Sequence, residues 1–315
     1  MSAVIQEEPG VLEGATEGRR RSTIWQILKD RPSTLVGLGV LGFFILVAGL
    51  APHIAPYGAH TQVGAPFAPP SPKHPLGLDD GGIDMLSLLM YGARASLLVG
   101  FGATAIALLV GGSVGILAGY YGGRTEGILM RITDYFLVIP DVPLMIVIAA
   151  IWGQSLLHII LIIGFLLWTW TARVIRAQVK SVRERVYVKR ARALGAGNGR
   201  TIFRHVLPQI APLLVASIVL TIAVAIFDET ALAYLGLSDP SVISWGKLIK
   251  NASDAAAVSA GAWWAIVPPG LCVAVLILSC TLIGQVLEDA LNPRLRASYL
   301  AARGFRIRRV AREEG

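Results

Sequence analysis

The chain has 315 residues, 54% hydrophobic and only 15% charged. A soluble globular domain carries about 25% charged residues, so this composition excludes an ordinary water-soluble domain. The net charge of +8 would suit nucleic acid, but the cations flank long apolar runs, where anionic lipid accounts for them, and no nucleic-acid partner is expected.

In chain order, residues 1–33 form a polar tail. Glu7, Glu8, Glu13 and Glu17 stand where a secretion signal would need an apolar run. Ser22–Asp30 reads as a short amphipathic helix, with Ile24, Ile27 and Leu28 on one face and Ser22 as its cap. Such a helix would lie on the inner leaflet, against membrane lipid.

A bilayer core takes about 20 apolar residues per helix. Six candidate spans follow: Thr34–Pro56, Ala95–Tyr120, Ile128–Trp152, Leu156–Thr171, Gln209–Phe227 and Trp263–Leu287. The fold class is therefore all-α, a polytopic membrane protein with six transmembrane helices in residues 34–296, followed by a tail at 297–315. Alternate polar segments hold 24 of the 28 Lys and Arg residues; only Lys73, Arg94, Lys247 and Lys250 fall in the others. Lys and Arg bias short loops toward the cytoplasm, which places both termini inside, at the cell membrane.

The first outer loop, from Tyr57 to about Asp84, carries Pro66, Pro69, Pro70, Pro72 and Pro75 and is expected to be extended and stiff. Gly111, Gly115 and Gly119 make a ladder of small residues that admits another helix closely, usually one of the same chain. Asp134 lies a turn inside the third span, where an i,i+3 pair with Arg131 is expected. Pro140 and Pro143 in the third span, and Pro268 and Pro269 at the sixth, break backbone bonds; either a translocation pathway or a plain kink accommodates that. Trp152, Trp168, Trp170, Trp245, Trp263 and Trp264 mostly fall where an interfacial aromatic belt would place them. Cys272 and Cys280, eight helical residues apart, are too distant for a disulfide. Asp228 and Glu229, where the fifth span meets the outer side, either receive a substrate ammonium group at an outer gate or are solvated span-end charges, the second being preferred.

The segment from Arg173 to Pro208 differs from every other loop: ten cations, one acid (Glu184), and still helical patterning. Tyr187, Ala191 and Leu194 recur on one face, and Gly195 is placed to end that helix before a second short stretch at Thr201–Leu207. A helix–turn–helix held between two spans suits docking into a groove on a cytoplasmic protein; the alternative is a basic connector lying on the surface.

Here a resemblance becomes specific. Tyr187-Val-Lys-Arg-Ala-Arg-Ala-Leu-Gly195, running on to Phe203-Arg-His-Val-Leu-Pro208, resembles the "EAA" loop of binding-protein-dependent ABC importer permeases. His74-Pro-Leu-Gly-Leu-Asp-Asp80, Gly82-Ile-Asp84, Tyr91-Gly-Ala-Arg-Ala-Ser-Leu97, Leu235-Gly-Leu237, Ser244-Trp-Gly246 and Asp289-Ala-Leu-Asn-Pro-Arg-Leu295 resemble signatures of the dipeptide/oligopeptide group. The likeness covers about residues 34–296. Two departures stand out: the loop's usual Glu-Ala-Ala is Lys189-Arg190-Ala191, and Gly82-Ile83-Asp84 lacks a basic residue before the Asp. The resemblance implies a type I ABC importer permease fold with a core at 94–290 and a coupling loop at 173–208. It further implies a second permease subunit in a heterodimer, two cytoplasmic ATPase subunits or domains that bind ATP and Mg, and an extracytoplasmic binding protein. The cargo would be peptide, with oligosaccharide or nickel carried by related permeases. Tyr187, Lys189, Arg190, Ala191, Leu194 and Gly195 would make the ATPase contact. The chain has no G-x-x-x-x-G-K-[ST] run, no H-E-x-x-H, no G-x-S-x-G and no Cys/His cluster, so no cofactor and no catalysis of its own are expected. A channel or an intramembrane enzyme is the rival class.

Overall fold

The computed structural model describes residues 32–291, with side chains over 33–287; the Ser22–Asp30 helix and the tail 297–315 lie outside the described residues. In chain order, α1 is Pro32–Ile54, α2 Met85–Tyr121, α3 Gly123–Val138 and α4 Asp141–Trp152. α5 follows at Leu156–Arg183, then the short α6 (Val186–Ala193) and α7 (Asn198–Thr201). A π-helical turn at Ile202–Val206 runs on into α8, Leu207–Tyr234. α9 is Trp245–Asp254, and a 3-10 turn at Trp263–Ala265 leads into α10, Val267–Leu291.

Five segments are long and apolar enough to cross a membrane alone: α1, α2, α5, the run through α7 and α8, and the run through α10. The third expected span is instead two helices, α3 and α4, meeting at 82° and together long and apolar enough for a sixth crossing. The break is chemical in origin. Pro140 has no N–H to donate and holds Ile139 extended at ψ 126, so α3 cannot continue. Pro143 falls in the first turn of α4, where a missing N–H disrupts nothing.

α5 runs to Arg183 rather than stopping near Thr171, so the coupling loop is shorter than its charges suggest. Ile175, Val179 and Val182 form a buried stripe that carries the helix on, while its cations find partners across the bundle. Arg173 pairs with Asp134 at 2.6 Å, which corrects the expected Arg131 partner. Arg176 and Lys180 converge on Glu126, and Arg183 donates to the Tyr120 carbonyl at 3.0 Å.

The most extensive helix contact is α2 against α5, and glycine makes it possible. A Cβ on Gly115 would stand 2.6 Å from the Ala172 carbonyl oxygen, and one on Gly119 2.8 Å from that of Arg176. Gly111 meets the Trp168 carbonyl more closely still, and Gly164 of α5 returns the approach, 2.8 Å from the Ala103 oxygen. With no hydrophobic drive between helices in lipid, such backbone proximity is what holds them together.

The proline-rich outer loop is not an extended strap. It folds into a cap, bridged at Gln62–Ile83 and Leu78–Asp84, with the Trp264 indole donating to the Leu78 carbonyl at 3.2 Å. Asp84 accepts from His74 Nδ1 (2.9 Å) and from the Ser87 amide (2.9 Å), so one buried carboxylate fastens the cap and caps α2. Trp245 leaves the expected aromatic belt: it is fully buried, packs where Gly92 lacks a side chain, and donates to the Leu89 carbonyl at 3.0 Å. Trp168 is buried too, whereas Trp152, Trp170 and Trp263 are exposed. Both cysteines are free thiols.

Candidate functional site

Two features stand apart from ordinary packing: an elbow at the end of α5 and a cavity at the α3–α4 break. The elbow comprises α6, the Gly195 turn, α7 and the π-helical turn at Ile202–Val206. α6 ends in a Schellman motif, the Gly195 amide donating to Arg192 and the Ala196 amide to Ala191, both at 3.0 Å. Gly195 sits at φ +85, a conformation glycine adopts without the Cβ clash of other residues.

One face of the elbow is anchored. Val188, Ile202 and Val206 pack with Tyr120, Ile175, Val179 and Val182 into a single apolar cluster. The Tyr120 hydroxyl donates to Asn198 Oδ1 at 3.1 Å, and the Arg192 guanidinium lies 5.7 Å from the centre of the Tyr120 ring. The elbow is thus fixed to the end of α2 as well as to α5 and α8, its neighbours in sequence.

The other face is open. Leu194 is 88% exposed, Phe203 72% and Val186 65%. Tyr187, Lys189, Arg190 and Gly195 are exposed and Ala191 is half-buried; these sequence-selected positions, like Leu194, lie in or just past α6. Lys189 pairs with Glu184 Oε2 at 2.9 Å and Arg183 with Oε1 at 3.1 Å. Lys189 first, then Arg183, holds the Glu184 carboxyl below the ordinary glutamate range. Sequence reasoning missed Tyr120 and the role of Asn198 as its partner, and it named Phe203 only within the loop signature; only the aromatic at the α2 terminus hinted at the first.

The cavity has a volume of about 520 Å³. Phe136 and Pro140 line it from the break, Thr169 and Trp170 from α5, and Ser217 and Thr221 from α8. Thr169 and Thr221 donate back to their own helices, at Leu166 and Ser217, so the wall is mostly apolar, with the Asp141 carboxylate at the break as its one charged group. This volume falls in the range of small-molecule sites. A backbone break that lines a cavity is the arrangement in which a membrane protein tolerates one.

Asp228 and Glu229 do not meet solvent, contrary to the preferred sequence reading. Asp228 is buried on the stripe of α8 one turn beyond the cavity-lining Val224, and its Oδ2 has no hydrogen-bond partner among the described residues. Glu229 is buried and accepts from the Ser96 hydroxyl at 3.1 Å. Helix α8 continues past both residues to Tyr234, which removes them from the span end where solvent was expected.

Comparison with known proteins gives a consistent set of relatives. The family described as "Binding-protein-dependent transport system inner membrane component" matches residues 111–297, and the "N-terminal TM domain of oligopeptide transport permease C" matches residues 21–70. The chain is 36% identical to the dipeptide transport system permease protein DppC of Alkalihalophilus pseudofirmus, across 86% of this chain and 88% of that one. It is 34% identical to the di/tripeptide transport system permease protein DppC of Pseudomonas aeruginosa, covering 86% and 91%. It is 32% identical to the oligopeptide transport system permease protein OppC of Bacillus subtilis, covering 88% and 92%. Among solved structures, an inward-facing form of the MetNI methionine ABC transporter superposes with a TM-score of 0.52 at 17% identity, over 68% of this chain and 97% of that one; the likeness is one of fold.

Proposed function

The chain belongs to the binding-protein-dependent transport system inner membrane components, and from that premise we propose that it conducts peptides across the membrane as the permease subunit of an ATP-driven importer. It is a multi-pass inner-membrane protein of a transport family. The peptide assignment draws on the names of its relatives and on their nearly full-length match.

The observation that carries the mechanism is the two-faced elbow. Its inner face is bolted to α2, α5 and α8, and its outer face presents Leu194 and Phe203 largely exposed, with Tyr187 partly exposed beside His205. An ATPase subunit that grips the outer face would move three helices together. Lys189, Arg190, Ala191 and Gly195 complete the contact, and two ATPase subunits in cytoplasm would place both termini of this chain on that side. The requirement is differential: moving a two-state equilibrium from 1:99 to 99:1 takes about 5.5 kcal/mol of preference for one state, which ATP-dependent closure of the partners supplies. A second permease subunit would close the exposed side of the 520 Å³ cavity into a pathway, a binding protein would deliver cargo to the outer cap, and Asp228 and Glu229 would act near the outer end of that path.

The test is reconstitution. Proteoliposomes holding both permease subunits and the ATPase subunits, with ATP enclosed and the loaded binding protein outside, should accumulate labelled peptide, and those without enclosed ATP should not. Leu194→Asp, a change at an 88% exposed position, should leave insertion intact while uptake and ATPase association fall. Uptake equal to wild type in that variant would overturn the proposal.

A further inference from the structure

We propose that the partner groove receiving the elbow has an acidic rim around an apolar pit, so that this chain selects an ATPase subunit whose docking surface carries carboxylates. The inference rests on the docking reading above and adds the chemistry of the partner.

The charge balance of the elbow is one-sided. Between residues 184 and 205 the cations are Arg185, Lys189, Arg190, Arg192, Arg200 and Arg204, and the only acid is Glu184. Both Glu184 oxygens are already engaged, Oε1 by Arg183 and Oε2 by Lys189. Arg192 is turned onto the Tyr120 ring and Arg185 reaches the Gln209 side-chain oxygen at 3.4 Å. Arg190, Arg200 and Arg204 are exposed and have no carboxylate within ion-pair distance among the described residues. Docking strips water from these guanidinium groups, and an uncompensated buried cation opposes association. Carboxylates opposite them would turn that penalty into steering and register. Leu194 and Phe203, the most exposed apolar side chains of the elbow, alternate in sequence with the cations and require an apolar pit.

An anionic bilayer is the other surface that attracts such a patch, and the lipid composition in the experiment below separates the two. The turn itself is open: a Cβ on Gly195, Gly197 or Gly199 would meet nothing within 4 Å, which leaves its backbone accessible to a protein surface.

The experiment measures binding of the purified ATPase subunits to the full chain, assembled with its second permease subunit in nanodiscs of neutral lipid. Wild type should bind with a steep salt dependence. Arg190→Glu combined with Arg204→Glu should weaken binding at least tenfold and flatten that dependence, and Arg190→Lys with Arg204→Lys should restore it. Leu194→Asp serves as the reference for docking itself. If Leu194→Asp abolishes binding while charge reversal changes neither affinity nor salt dependence, the acidic rim is overturned and docking survives. If neither variant alters binding, both readings fall. If charge reversal matters only when the nanodisc contains anionic lipid, the cations serve the bilayer and the inference is refuted.

Discussion

Replacing Gly115 with Ala tests the seam on which the α2–α5 pair depends. The added methyl would lie 2.6 Å from the Ala172 carbonyl oxygen, 2.9 Å from Ile175 Cβ and 3.1 Å from the Arg176 amide nitrogen. Two of these atoms are backbone and none is the end of a flexible side chain, so no rotamer change relieves the clash. The helices must separate instead. Overpacking of this kind costs about 1–3 kcal/mol, against a gain of up to about 1 kcal/mol from exchanging Gly for Ala within a helix, so the net change is a loss over most of that range. The control is Gly42→Ala in α1, where a Cβ meets nothing within 4 Å and the helix-propensity gain acts alone. Denaturant midpoints of the purified proteins in the same detergent give the comparison. Gly115→Ala should fall below wild type and Gly42→Ala should match or exceed it. Equal midpoints for the two variants would show that the close α2–α5 approach does not govern stability.

Gly195→Val forces a branched side chain into φ +85 at a cost of about 1–2 kcal/mol; the chain should still insert, and ATPase co-purification should drop. Glu229→Ala removes the acceptor of the buried Ser96 hydroxyl and should lower stability by about 1–3 kcal/mol, with Glu229→Gln losing less in the same denaturant assay. The Glu184 carboxyl is held low by Lys189 and Arg183, so its contribution to elbow order is present above the ordinary glutamate range and is lost as pH falls through the lowered value. Carbon-13 titration of that carboxyl should show the depressed midpoint in wild type and a return toward the ordinary range in Lys189→Ala.

The apolar runs were legible in the sequence because hydrocarbon length and composition leave helices few alternatives, and five of the six appear as single helices. Gly195 was legible for a local reason: the turn needs a residue free of the Cβ clash. Longer-range facts were not. Arg173, Arg176, Lys180 and Arg183 read as a loop because their partners, Asp134, Glu126 and the Tyr120 carbonyl, lie about 40 to 60 positions away. Their pairing lets α5 continue through a charged stretch. Trp245 read as an interfacial aromatic because its acceptor, the Leu89 carbonyl, is 156 residues distant. The outer cap was missed because five prolines suggest extension, whereas Leu78, Trp264 and the His74–Asp84 pair supply burial and hydrogen bonds that composition does not reveal. Asp228 and Glu229 were misjudged for the same reason: α8 runs further than its apolar stretch.

The most direct test of the account is chemical accessibility at Leu194, the most exposed of the elbow's apolar side chains. With Leu194→Cys in a chain whose Cys272 and Cys280 are replaced by Ala, a membrane-impermeant maleimide should leave intact cells unlabelled. It should react in inverted vesicles stripped of ATPase subunits, and be blocked when those subunits are added back. Labelling of intact cells, or labelling of inverted vesicles that ignores the ATPase, would contradict the elbow's role in coupling.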